Sequence, residues 1–163
     1  MIRKIIIILL IILMIIQFIR PAKNISTALS ANDIRLHYAV PTDVLNILKR
    51  SCNDCHSNNT VYPWYFNIQP VAWWLKDHID EGKKELNFSE FASYPVKKQY
   101  HKLKSVIEQV KKDEMPLNYY LWIHKDAILS QEQKTILLKW ADSLQSAIKV
   151  KNNLPDEPER RGE

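Results

Sequence analysis

The sequence predicts an all-α chain, and three observations carry the prediction. Glycine is nearly absent: Gly82 and Gly162 are the only two in 163 residues. Hairpin-rich β folds and Gly-rich phosphate loops therefore lack the residue they lean on. Apolar residues recur at helical spacing through several long stretches. The eight prolines fall between those stretches, where helix boundaries are expected. The length suits one domain with a core of ordinary size.

The first element is an apolar run from Ile5 to Ile16, extended by Phe18 and Ile19 and bracketed by Arg3, Lys4 and Arg20. A cationic start before a short apolar stretch is the layout of an export signal. As a helix, Ile5 to Ile19 would reach about 23 Å against a hydrocarbon core of about 30 Å, a gap that snorkelling flanks can close. No A-x-A sequence follows, and Ser26-Thr27-Ala28 is a weak cleavage site. Residues 1–20 are therefore expected to be an uncleaved signal anchor or transmembrane helix. Arg3 and Lys4 would stay inside, with the remainder of the chain exported to the periplasmic side of a cell inner membrane.

The same flanks explain the net charge of +5. Setting aside Arg3, Lys4, Arg20 and Lys23 leaves 19 basic residues against 18 acidic ones. That balance gives no support to a nucleic-acid partner. Residues 21–40 mix Ser, Thr, Asn and Ala and read as a spacer, residues 41–150 as the folded domain, and residues 151–163 as a disordered tail.

Within the domain, Thr42 is a candidate N-cap, and Val44, Leu45, Ile47 and Leu48 give an apolar face running into Cys52. Val61 to Phe66 is an aromatic loop, read first as core packing. Pro70 opens a helix to about Leu86 with Trp74, Leu75, His78, Ile79 and Leu86 on one stripe. Val96 to Lys112 follows, with Tyr100, Leu103, Val106, Ile107 and Val110 inward. Its lysines are read as a wet face that is also suited to an acidic redox partner. Leu117 to Leu129 reads as an aromatic and aliphatic loop. Ser130 and Gln133 form a capping box ahead of a last helix to about Val150, with Ile136, Leu137, Trp140, Leu144 and Ile148 inward.

The chemistry concentrates in Cys52-Asn53-Asp54-Cys55-His56, which holds both cysteines of the chain. C-x-x-C-H is the attachment signature of a c-type haem. On a helical turn, positions i, i+3 and i+4 share a face, so two thiols can form thioethers with a porphyrin while the histidine meets iron. Met115, in the break Lys112-Asp113-Glu114-Met115-Pro116, is the only methionine outside the N-terminal segment. Although methionine often fills core gaps, a lone Met-Pro after a helix, downstream of such a motif, makes Met115 the candidate second axial ligand.

Rival readings of the motif are poorer. Structural zinc wants four ligands, and there is no second pair, with His37, His78, His101 and His124 scattered. A thioredoxin-like pair wants a βαβ setting. A Cys52–Cys55 disulfide would close too short a loop to stabilise much.

The chain resembles the bacterial haem-binding domain family, small exported monohaem c-type proteins related in layout to cytochrome c. The resemblance is carried by Cys52-Asn-Asp-Cys55-His56-Ser57-Asn58, Tyr62-Pro63-Trp64-Tyr65, Trp73-Trp74-Leu75 with His78, and Leu86-Asn87-Phe88-Ser89. It continues through Glu114-Met115-Pro116-Leu117 and the segment from Tyr120 to Trp140. It implies a cytochrome c-like bundle of about four helices around one covalent haem c, held through Cys52 and Cys55 with iron on His56. For Met115 it supplies a matching Met-Pro but no established role.

Three functions stay open at this point. The first is a one-electron carrier with a His/Met-ligated haem and an unidentified redox partner protein, not a catalyst. The second is a sensor or peroxide-reactive protein with an open sixth site, His78 or His124 being distal groups. The third is a non-haem, membrane-tethered interaction domain.

Overall fold

In a computed structural model of the protein, which describes residues 1–155, every regular element is helical. Eight α-helices run in the order α1 (Ile2–Ile16), α2 (Ile34–His37), α3 (Thr42–Ser51), α4 (Asn53–His56), α5 (Val71–Glu85), α6 (Val96–Lys111), α7 (Asn118–Leu121) and α8 (Gln131–Lys151). After α1, four of them (α3, α5, α6 and α8) have ten residues or more. Short 3-10 turns at Trp64–Asn67, Phe88–Ser93 and Lys125–Ala127 fill the connections.

The chain divides into two compact units. One combines Met1–Leu29 with Cys52–Ser89, and the other combines Ser30–Ser51 with the residues from Glu90 onward. In the first unit, α4 packs on α5. Phe66, Ala72, Leu75 and Ile79 form its core, with Cys55, Tyr62 and Tyr65 against them. The aromatic loop is thus core only in part: Phe66 is buried with Tyr62 and Tyr65 against it, while Val61 and Trp64 remain on the surface. The buried stripe of α5 is Ala72, Leu75 and Ile79, while Trp74 lies outside it.

In the second unit, α8 packs along α6 and against α3. It buries Leu137, Trp140, Ala141, Leu144 and Ile148. Leu103 and Val110 of α6, and Val44, Ile47 and Leu48 of α3, are buried as their spacing predicts. The capping box at the start of α8 is formed. Ser130 Oγ accepts from the Gln133 amide at 3.1 Å, and the Gln133 side chain accepts from the Ser130 amide at 2.9 Å.

Two expectations are corrected. The N-terminal apolar helix forms but ends at Ile16, after 15 residues, rather than filling residues 1–20. Pro21 disfavours helical backbone at Arg20, and the last turn is closed by 3-10 bonds from Phe18 and Ile19. Among the described residues no helix is long and apolar enough to cross a membrane. The stretch 21–40, read as a spacer, contains α2 and buries Asp33 and Ile34. Asp33 caps α2 by accepting from the Arg35 amide. The end of the expected tail, residues 156–163, lies outside the described residues.

Candidate functional site

The C-x-x-C-H stretch is a helical turn of its own. α3 ends at Ser51, and Cys52 breaks the helix with φ −128°, so the motif is not the last turn of α3 as the apolar face had suggested. The Cys52 carbonyl accepts from the amides of Cys55 (3.2 Å) and His56 (2.9 Å). This closes α4 and puts residues 52, 55 and 56 on one side. Cys52 and Cys55 are free thiols, both half-buried as whole residues. Burial pushes the Cys52 thiol up to about 12, with neighbouring Cys55 adding to it, and pushes Cys55 up to about 11, with Asp54 adding to it. Both sulfurs are therefore neutral thiols near pH 7.

The His56 ring is set by α5. Its Nδ1 lies 3.0 Å from the Gly82 carbonyl and 2.9 Å from the Leu86 carbonyl. Two acceptors facing one ring nitrogen select the tautomer with hydrogen on Nδ1, and the lone pair is then on Nε2. A histidine that ligates a metal through one nitrogen characteristically donates from the other to a carbonyl or carboxylate.

This approach of α4 to α5 depends on Gly82. A Cβ at that position would stand 2.8 Å from the Cys55 carbonyl oxygen and 2.9 Å from Cys55 Cβ. Gly82 is thus a residue of the site that reading the motif alone does not find. The available signal was an isolated glycine inside a helical stretch.

The loop after His56 is held by side-chain amides and hydroxyls. Asn24 donates to the Ser57 carbonyl (2.9 Å) and to Thr60 Oγ1 (3.0 Å), while Lys83 donates to Asn24 Oδ1 (2.6 Å). Asn87 donates to Asn58 Oδ1 (2.8 Å), and the Asn58 amide donates to Ser89 Oγ (3.1 Å). Asp54 accepts from the Val61 amide at 3.0 Å. Polar residues at 24, 87 and 89 thus fasten the loop that carries the histidine, and none was singled out for a role from the sequence.

Met115 belongs to the other unit. Its backbone is fixed at the exit of α6. Asp113 adopts the left-handed conformation with φ 57°, a common way to end a helix. The amides of Glu114 and Met115 both return to the Gln109 carbonyl, at 2.9 and 3.3 Å. Lys134 of α8 pairs with Asp113. The Met115 side chain is half-buried. His78 Nδ1 approaches the Trp74 carbonyl at 2.8 Å and its ring packs on Trp74. The ring of His124 stacks on Tyr120 at 4.1 Å.

The family model described as a haem-binding domain matches residues 11–143. The chain belongs to the haem-binding domain family. The match begins inside α1 and takes in residues 21–40, in keeping with the hydrogen bonds that tie Asn24 to the motif loop. Neither the curated proteins nor the solved structures searched hold a match to this chain.

The donor set fits the haem cofactor that membership implies. A haem-binding domain needs an iron ligand with a defined tautomer, and the His56 ring has one. The two sulfurs lie on the same turn as His56 and are not consumed in a disulfide. Cys55 also packs on the apolar side chains around Phe66. Among the described residues no group of three or more His, Cys, Asp or Glu could hold a metal ion.

Proposed function

We propose that this haem-binding protein is a membrane-anchored monohaem c-type cytochrome, working on the exported side of the membrane. Cys52 and Cys55 would hold the haem through thioethers, with His56 and Met115 as the axial ligands of iron. The observation that carries the reading is the hydrogen bonding of His56 Nδ1 to the Gly82 and Leu86 carbonyls on the turn that also presents both thiols. A haem held by histidine and methionine supplies a one-electron couple with a raised potential and leaves no coordination site for substrate.

The protein's part is to hold and to orient. α5 keeps the His56 ring in one tautomer, and the Asn24, Asn58 and Asn87 contacts keep the loop from rotating it away. Neither sulfur is tied in a disulfide, so both would be available to hold the porphyrin edge through thioethers. Anchoring is supported by α1, which buries none of its residues and carries Arg3 and Lys4 in its first turn. The redox partner is expected to be a protein that docks on the surface.

Denaturing electrophoresis followed by a haem stain tests the cofactor linkage. The stain should stay with the chain and disappear when Cys52 and Cys55 are both replaced by alanine. Loss of the stain from the unaltered chain under denaturing conditions would overturn the c-type assignment. Fast stoichiometric carbon monoxide binding to the reduced protein would instead indicate an open sixth site and a sensor or peroxide-reactive role.

A further inference from the structure

We propose that the face around Trp64, Ile68, Val71 and Trp74 rests in the headgroup layer of the membrane into which α1 inserts. The first unit would then lie against the lipid surface rather than hang from a tether. This rests on the reading of α1 as a membrane anchor.

The end of α1 is clamped to the unit that carries the motif. The Gln69 amide donates to Gln17 Oε1 at 2.9 Å, and Gln17 Nε2 donates back to the Gln69 carbonyl at 3.2 Å. Gln69 Nε2 and the Trp73 indole N–H both donate to the Ile19 carbonyl, at 2.9 and 3.0 Å. Arg20 reaches Asn67 Oδ1 at 3.5 Å. The residues at the apolar helix exit are therefore bound to 67, 69 and 73, leaving no free linker at that point.

Interleaved with those anchoring positions are exposed apolar side chains. Trp64 is 75 % exposed, Trp74 47 %, Ile68 44 % and Val71 37 %. Consecutive Cα atoms are 3.8 Å apart, so Ile68 and Val71 have their Cα atoms within about 8 Å of that of Gln69. Trp73 turns its one polar atom to the α1 exit, the amphipathic use of indole found at membrane interfaces. Lys23 lies over the Tyr62 and Phe66 rings, at 5.6 and 6.0 Å. Arg20 and Lys23 complement anionic headgroups.

The length of α1 points the same way. Its apolar part, residues 5–16, spans about 18 Å, against a hydrocarbon core of about 30 Å. A short span is accommodated by drawing its flanks inward and by local thinning. Phe18 and Ile19 are exposed and extend the apolar surface directly onto the anchored stretch. With the flank bound to Gln69 and Trp73, drawing it inward brings Trp64 and Ile68 along.

Site-directed spin labelling of the full-length holoprotein tests this, in vesicles of phosphatidylcholine with phosphatidylglycerol and in the reduced state. Single variants Trp64→Cys, Ile68→Cys, Leu10→Cys and Glu81→Cys are compared, with the chain lacking an added cysteine as the blank. Labels at 64 and 68 should show an oxygen-to-nickel-chelate accessibility ratio several-fold above that at exposed Glu81, approaching that at Leu10. Ratios at 64 and 68 equal to that at 81, with 10 still lipid-shielded, would overturn the docking and give the face to a protein partner. An aqueous ratio at 10 as well would overturn the anchor reading itself.

Discussion

Gly82 and Cys55 meet so closely that any Cβ at 82 would stand within 3 Å of both the Cys55 carbonyl oxygen and its Cβ. The obstacle is partly backbone, so a side-chain rotation cannot relieve it. The two helices must separate, and the His56 ring would lose its carbonyl partners on α5. Gly82→Ala is expected to cost about 1–3 kcal/mol, the usual range for overpacking. It should also reduce the fraction of chain that carries haem. Denaturant unfolding and the haem-to-protein absorbance ratio measure the two effects; if neither changes, the close approach is unimportant.

Met115 has a fixed backbone and, on the proposed reading, a sulfur on iron. Met115→Ala should convert the oxidised spectrum from six-coordinate low-spin and remove the weak long-wavelength band of thioether-ligated ferric haem. It should also open the reduced protein to carbon monoxide. The thioether links do not involve this residue, so the haem stain on denatured protein should be unchanged. A low-spin spectrum that survives the substitution assigns the sixth position to another group.

Asp33 provides a pH signature for the second unit. Burial alone would raise its carboxyl. The hydrogen bonds from the Arg35 side chain and amide, with the guanidinium charge, outweigh burial and hold it below the ordinary 3.8. A carboxylate depressed in the folded state stabilises above its unfolded value, and that contribution fades as pH falls through the folded value. Asp33→Asn should therefore be destabilising at pH 7, by about 1–3 kcal/mol for a buried hydrogen-bonded charge, with the gap to the unaltered protein closing below about pH 4. Equal gaps in denaturant midpoint at neutral and acid pH would contradict it.

The capping box at the start of α8 offers a simpler measurement. Ser130→Ala removes the acceptor for the Gln133 amide and should cost about 1 kcal/mol. Gln133→Ala breaks the reciprocal bond, and the double variant should cost less than the sum of the singles, because the two bonds share one turn. Additive effects would show that the two bonds act separately.

Much of the fold was legible because local rules governed it. The helical stretches that begin at Thr42, Val71, Val96 and Gln131 appear where their periodicity puts them, and Ser130 and Gln133 cap as their spacing predicts. The motif was readable because its chemistry is compact in sequence. Less readable were the residues that act across distance. Asn24 sits in a stretch whose composition suits a spacer, yet it holds the loop beyond His56. Trp74 was counted on the inward stripe of α5, but the core selects Ala72, Leu75 and Ile79 instead. Periodicity gives the angle of a stripe only to within a residue's width, and the neighbour's shape chooses which edge of it is covered.

By itself the amino-acid order determined the all-helical class, the membership that implies haem, and the turn on which Cys52, Cys55 and His56 share a side. The helical spacing and the motif turn depend on residues within a few positions of one another, and the membership on several such short strings spread over residues 11–143. The tertiary structure alone decided the tautomer of His56, the need for glycine at 82, and the attachment of the α1 exit to Gln69 and Trp73. Those properties arise where backbones separated by tens of residues come within hydrogen-bond or contact distance. No local pattern encodes such a meeting, because it exists only once the chain has closed on itself.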